Sequence, residues 1–173
     1  DELAAEAEPH LAGYVLRSWI GPVPEEHVAG WAELDASLET EAPTGGLDLE
    51  PRVAAVAQVR EGEQLMEAQG RTSYATVALD AAGEVVAYTQ IAVSSDGSGN
   101  AYQEGTLVRG DHRGHRLGLA VKVANLRLLQ EAALGGVARL VTYNAASNGH
   151  MVGVNDLLGY RPVEWAGEFQ KHL

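Results

Sequence analysis

The chain has 173 residues, of which 46% are hydrophobic, and a formal net charge of −12. This length and composition predict a single soluble domain over residues 1–173. The charge disfavours non-specific binding to nucleic acid and favours a cationic or amine-bearing partner, with the solubility of an acidic protein as the alternative explanation. The absence of cysteine excludes disulfides, thiolate metal sites and a cysteine nucleophile, and the histidines lack the i,i+4 spacing of a helical metal site. Without an apolar run of about 20 residues or a secretory signal, we expect a cytoplasmic protein with no membrane or metal partner.

The first half of the chain predicts one strand and two helices. Residues 1–12 are expected to form a linker or tail, and the β-rich segment 13–20 predicts a strand that ends at Gly-Pro-Val-Pro. Apolar residues spaced three and four apart predict an amphipathic helix after Pro24, and these residues are Val28, Trp31, Leu34 and Leu38. A breaker-rich loop at 39–48 precedes a second helix, expected from about residue 50 to Gly70.

The second half predicts a sheet with one crossover. Its expected elements are strands at 73–79, 84–93, 101–108 and 137–143, a helix at 115–132, a helix from an N-cap at Ser147 to Leu158, and an edge strand at 163–169. The early strands should be antiparallel, whereas strands 101–108 and 137–143, joined by the helix between them, should be parallel. The predicted fold class is α/β (α+β), with a mixed, mostly antiparallel sheet and helices on both faces.

The segment 106–122 has the pattern of an anion-binding turn between a strand and a helix. Gly110, Gly114 and Gly118 allow a tight turn, and the first turn of the following helix offers unpaired N–H groups and a positive dipole end. The segment is also a basic island in an acidic chain: Arg109, Arg113, Arg116, Lys122 and Arg127 stand against Asp111 alone. The alternative interpretation is a solvated helix start with ordinary surface arginines.

Two motifs resemble those of a known family. Val108-x4-Arg113-Gly-His-Arg-Leu-Gly118 resembles the pyrophosphate loop of the GNAT superfamily of acyl-CoA-dependent N-acetyltransferases, which reads Arg/Gln-x-x-Gly-x-Gly/Ala; here Arg116 replaces the middle glycine. The segment from Asn144 to Tyr160 resembles the family's late strand and helix. In that helix Asn155 aligns with a frequent tyrosine, often the acid that reprotonates the coenzyme A thiolate, and an amide cannot supply that proton.

The resemblance, which covers roughly residues 84–163, implies a cofactor and a binding mode. Acetyl-CoA would lie in a gap between the splayed parallel strands, with its pantetheine arm bonded to the backbone of Leu107 and Val108. Its pyrophosphate would bind the loop residues Arg113, Gly114, His115, Arg116, Leu117 and Gly118. Asn144, Asn148 and Asn155 would be hydrogen-bond partners of the cofactor arm, although turn and cap chemistry is the alternative for Asn148.

The resemblance also implies an amine acceptor and a base. Glu104 is expected to deprotonate the amine, and its alternative role is an ion pair with Arg113 or Arg109. The acceptor is expected to be a cationic primary amine, received by the loop acids Glu39, Glu41, Asp48 and Glu50, unless these are simply solvated. Water, Tyr143, Tyr160 or the substrate ammonium would protonate the thiolate.

Two further interpretations of function stay open, together with the assembly of the chain. It could be a non-catalytic acyl-CoA-binding module, or a nucleotide-binding domain unrelated to the GNAT superfamily. A homodimer, a tandem GNAT neighbour and a longer parent protein are each compatible with the sequence.

Overall fold

A computed structural model describes residues 2–41, 52–133, 136–167 and 169–171. Its centre is a five-stranded sheet in the order β1-β2-β3-β4-β5. The strands are β1 Val15–Ile20, β2 Arg71–Leu79, β3 Val85–Ser94, β4 Asn100–Val108 and β5 Arg139–Val141. Neighbouring strands are antiparallel from β1 to β4, and β5 is parallel to β4. The predicted mixed sheet with one parallel pair is therefore confirmed.

Helices cover both faces of this sheet, as the sequence predicts. They are α1 Glu2–Ala7, α2 Glu25–Glu41, α3 Val56–Ala68, α4 Leu117–Ala133 and α5 Gly149–Leu157. The predicted stripe of α2 is buried: Trp31 and Leu34 pack on one face of the sheet together with Tyr88 and Leu107. The opposite face is covered by α4, whose Leu117 and Val121 pack against β2 and β3.

Two predictions at the chain ends are wrong. The sequence predicts a linker or tail at residues 1–12, but α1 and a 3-10 turn at Glu8–His10 form there, and Ala7 is only 2% exposed. So short a helix is unstable alone, and its Leu3 packs against α4 and α5. The expected edge strand at 163–169 is absent from the described residues, where Val163 and Trp165 are exposed. Alternating apolar residues do not make a strand without a neighbouring strand to pair with.

The parallel pairing of β4 with β5 is short, and it leaves the second half of β4 without a β5 partner. β5 pairs only with Asn100–Tyr102, so it does not accompany the rest of β4, from Gln103 to Val108. On its other side β4 contains a bulge, because Thr89 pairs with Thr106 whereas Ile91 pairs with Gln103. The irregularity falls at Glu104 and Gly105, and such bulges re-aim side chains at strand edges.

The bulge needs a glycine at position 105, because a side chain there would collide with Tyr88. A Cβ added there would lie 2.3 Å from the hydroxyl oxygen of Tyr88, which is 1% exposed and donates to Asp35 at 3.2 Å. Burial, reinforced by the charge of Asp35, raises the pKa of Tyr88 well above its usual value. The Tyr88 side chain therefore stays neutral and is held in place next to the bulge.

Candidate functional site

The open edge of β4 is the starting point of the candidate site. Residues 103–108 lack a β5 partner, so their outward backbone groups can pair with an extended ligand, as an added strand would. Leu107 anchors this stretch in the core, since it is 7% exposed. Leu107 and Val108, which the sequence predicts to contact a pantetheine arm, both lie in this stretch without a β5 partner.

The turn after β4 places a helix N-terminus beside this edge. The Ala120 N–H at the start of α4 donates to the Arg116 carbonyl oxygen at 3.0 Å. The N–H groups of Leu117, Gly118 and Leu119 precede it and need partners from outside the helix. Gly118 lies close to β4, because an added Cβ would meet Cγ2 of Val108 at 3.7 Å. This arrangement suits an anion that reaches the end of β4.

Arg116 has a left-handed backbone conformation, which glycine adopts more readily than other residues. Its φ of 51° is the one positive value found for a non-glycine residue in the described ranges, and Gly114 nearby has a φ of 87°. A left-handed conformation costs a non-glycine residue about 1–2 kcal/mol. The loop therefore keeps the predicted turn at some cost in strain, and Arg116 adds a cation.

Both loop arginines form ion pairs that the local sequence does not reveal. Arg113 donates from Nε to the Val108 carbonyl oxygen at 3.3 Å and pairs with Glu41 at the end of α2, while Arg116 pairs with Glu6 of α1. The arginine side chains are 53% and 43% exposed. Exposed pairs of this kind contribute at most about 1 kcal/mol, so a phosphate can displace them.

The rest of the basic island has other roles. Arg109 donates to Asp111 at 2.9 Å and to the His112 ring at 2.7 Å. These contacts engage the Arg109 guanidinium, and its hydrogen bond lowers the pKa of Asp111. His115 is exposed on the turn. The side chains of Arg113 and Arg116 are more exposed than that of Arg109, which leaves them accessible to an anion at this turn.

Glu104 pairs with Arg71 of β2, rather than with Arg113 or Arg109. The Arg71 guanidinium also lies over the Tyr102 ring, 5.6 Å from its centroid. Arg71 lies on the same face of β2 as Ala75 and Val77, which pack under α2, so this group is on the α2 side of the sheet. The Glu104 side chain is 36% exposed, so solvent reaches the carboxylate.

The three asparagines differ in their surroundings. Asn144 is exposed just beyond β5. Asn148, rather than the predicted Ser147, caps α5, since its Oδ1 accepts from the Met151 N–H at 3.2 Å. Asn155 is 4% exposed and accepts a hydrogen bond from Lys122 Nζ at 2.7 Å.

Lys122 is the functional candidate that sequence reasoning missed. It is 1% exposed, and burial lowers its pKa to about 8. Its ammonium lies 3.9 Å from the Met151 sulfur and 5.6 Å from the Tyr160 ring centroid. The Tyr160 hydroxyl is buried without a hydrogen-bond partner, and burial raises its pKa to about 12. A lysine inside the nearly all-apolar run of α4 was the signal that could have revealed this site.

Of the four predicted acceptor acids, Glu41 has a side chain among the described residues. Asp48 and Glu50 lie outside the described residues, as does the side chain of Glu39, and Glu41 is the partner of Arg113. Tyr143 is 69% exposed beyond β5.

In the described part of the chain, no three His, Asp or Glu side chains converge into a metal site.

Solved structures share this architecture. A tandem GNAT protein from the clavulanic acid biosynthesis pathway is 30% identical over 87% of this chain, with a TM-score of 0.71. This chain belongs to the GNAT superfamily. It spans 43% of the length of that tandem protein. No protein-family model and no curated protein matches its sequence.

More distant GNAT neighbours match over their whole length. An acetyltransferase of Trypanosoma brucei is 14% identical with a TM-score of 0.63, and the alignment covers 91% of this chain and 100% of that one. AAC(6')-Iy, solved with the bisubstrate analogue CoA-S-monomethyl-acetylneamine, is 18% identical with a TM-score of 0.59, over 91% and 99%. At these identities the likeness concerns the GNAT fold alone. No helix in the described ranges is long and apolar enough to cross a membrane.

Proposed function

We propose that this GNAT domain is an acetyl-CoA-dependent N-acetyltransferase that acts on a primary amine of a small molecule or peptide. The observation that carries the proposal is the combination of an unpaired β4 edge with a helix N-terminus and two arginines at its end. A pantetheine arm and a pyrophosphate, joined in one molecule, match these two neighbouring features.

Coenzyme A would be held along the turn and the strand. Its pyrophosphate would accept from the backbone of Leu117 and Gly118 and from the guanidinium groups of Arg113 and Arg116, since arginine suits bidentate contacts to phosphate. Its pantetheine amides would bond to the backbone of β4. Asn144 and Asn148 would contact the cofactor arm from the start of α5, with Asn148 also serving as the helix cap.

The reaction is a direct attack in a ternary complex. An alkylammonium with a pKa of about 10 is less than about 1% neutral at pH 7, so a nearby base helps to supply the reactive amine. Glu104 is the proposed base, because the bulge presents it next to the open edge. The amine would compete with Arg71 for this carboxylate. Backbone N–H groups of the open edge would stabilise the oxyanion that forms on the thioester carbonyl.

The acceptor is proposed to be cationic, in keeping with the net charge of −12. AAC(6')-Iy was solved with an acetylneamine conjugate of coenzyme A, so amino sugars are the first group of amines to test. The tandem relative supports a second GNAT domain as the neighbour of this one in a longer protein, with a homodimer as the alternative. We expect the protein to act in the cytoplasm.

Thiol release tests the proposal. The protein is incubated with acetyl-CoA and a panel of small primary amines, polyamines, aminoglycosides and peptides, and free thiol is measured against samples without an amine. Amine-dependent thiol release, with acetylated amine found by mass spectrometry, is the expected result. Binding of coenzyme A without release for any amine would favour the non-catalytic acyl-CoA-binding module, which the Arg71 pair of Glu104 and the amide at Asn155 make the second candidate.

A further inference from the structure

A buried cation lies between α4 and α5, and the described residues give it no anionic partner. Lys122 is one of only two lysines in the chain, and the other is Lys171. Among the described residues, no carboxylate forms an ion pair with Lys122, and its hydrogen bond goes to the neutral amide of Asn155. Burying a charge in this way is costly, because its water is lost and no opposite charge replaces it. Such a residue calls for a functional explanation.

The position of Lys122 directs it towards the open half of β4. It lies four residues after Gly118, so the two share a face of α4, one turn apart. Gly118 faces Val108, at the end of β4. Because β4, α4 and β5 form a crossover, α4 runs back along β4 from this point. Lys122 is therefore placed alongside the stretch that β5 leaves unpaired.

The orientation of Asn155 follows from its contact with the lysine. An ammonium group only donates, so it fixes Oδ1 of the amide towards Lys122. The amide Nδ2 group then points away from Lys122 and can donate to another acceptor. Asn155 also stands at the position that resembles the GNAT tyrosine associated with the coenzyme A sulfur.

We propose that Lys122 and Asn155 together stabilise the coenzyme A thiolate in this protein, with Asn155 Nδ2 donating to the sulfur and Lys122 polarising and positioning the amide from behind. This rests on the proposed function. Asn155 is then a catalytic residue, since it touches the leaving atom, and Lys122 is a positioning residue. A neutral amide hydrogen bond backed by a fixed positive charge replaces a proton donor.

Transfer of the acetyl group in this way requires no general acid. The acceptor nitrogen forms a bond to the acetyl carbon and its extra proton passes to Glu104 or water. The carbon–sulfur bond then breaks, and its electron pair stays on sulfur. The thiolate leaves as an anion and is protonated by solvent after it is released.

The charge of Lys122 is the part of this device that depends on pH. Titratable groups on the packed elements are few: Tyr160 faces the ammonium, His150 and Asp156 of α5 are exposed, and Glu6 of α1 is paired with Arg116. Glu104 lies on the α2 side of the sheet, opposite α4. As pH rises through about 8, Lys122 loses its proton and the stabilisation should fade.

Calorimetry with coenzyme A and with desulfo-coenzyme A, which lacks the sulfur, tests the proposal. In the wild-type protein the ratio of the affinities for coenzyme A and for the desulfo compound should rise with pH as the thiolate forms. This ratio should be about tenfold or more higher than in a site without the Lys122 charge. It should then decline above about pH 8, where Lys122 loses its proton. In Lys122→Met, which has a similar shape and no charge, that preference should be lost while the desulfo compound binds with unchanged affinity. Lys171→Met, which removes the exposed lysine, is the matched control and should behave as wild type.

A second variant keeps the test decisive if Lys122→Met folds poorly. Asn155→Asp retains the shape of the amide and its contact with Lys122 but replaces the donor with an oxygen, so it should select against the thiolate. A wild-type protein that binds both compounds equally at every pH, or variants that keep the wild-type preference, would overturn the inference while leaving the coenzyme A site intact. If neither compound binds the wild-type protein, the proposed function itself is wrong and this inference with it.

Discussion

The substitution Lys122→Met should change the pH dependence of folding stability. The folded-state pKa of about 8 is lower than the usual 10.5, so between these values the unfolded chain binds more protons at this site than the folded protein. Stability therefore rises with pH across this window. Below about pH 8 both states carry the charge and the full burial cost applies. At 1.36 kcal/mol per unit, that cost is about 3 kcal/mol.

The comparison isolates this effect, because methionine fills a similar volume and does not titrate. Urea unfolding should find Lys122→Met more stable than wild type near neutral pH, and this advantage should shrink by about 2 kcal/mol between about pH 8 and 9.5. The measurement stays below pH 10, since Tyr160, whose pKa is raised to about 12, destabilises the folded protein only at higher pH. Parallel stability curves for the two proteins would refute the assignment of Lys122 as a buried, unpaired amine.

Two further substitutions address the bulge of β4. Glu104→Gln should leave acetyl-CoA affinity unchanged and lower the rate of amine acetylation by roughly 10²–10⁴-fold at neutral pH, with much of the loss recovered at high pH; an unchanged pH–rate profile would limit Glu104 to its pair with Arg71. Gly105→Ala should lower the free energy of unfolding in urea by about 1–3 kcal/mol, because the new Cβ would lie 2.3 Å from the Tyr88 hydroxyl. A Gly105→Ala protein as stable as wild type would mean that the bulge can move.

Local patterns predicted much of the sheet and its crossover. The apolar spacing of α2 and the strand–turn–helix pattern of 101–132 depend on neighbours within a few residues, and they matched the structure closely. Patterns failed where the outcome depends on distant packing. The first residues form a helix because α4 and α5 cover it, and 163–167 form no strand although their side chains alternate.

The candidate site was predictable in outline but not in its electrostatics. The loop and the position of Glu104 follow from motif and spacing. The partners of the charges come from far along the chain: Glu41 reaches Arg113 across 72 positions, Glu6 reaches Arg116 across 110, and Arg71 reaches Glu104 across 33. The burial of Lys122 likewise depends on α5, which the sequence could not place against α4.

Binding of coenzyme A to the loop tests the central claim most directly. Calorimetry should compare wild type with a variant that combines Arg113→Ala and Arg116→Ala, and with Arg17→Ala as a control that removes an exposed arginine from β1. The double substitution should weaken binding by about 2–4 kcal/mol, because two charge-assisted contacts to the pyrophosphate are lost, whereas the control should not change it. Equal affinity in all three proteins would contradict the assignment of residues 113–118 as the pyrophosphate site.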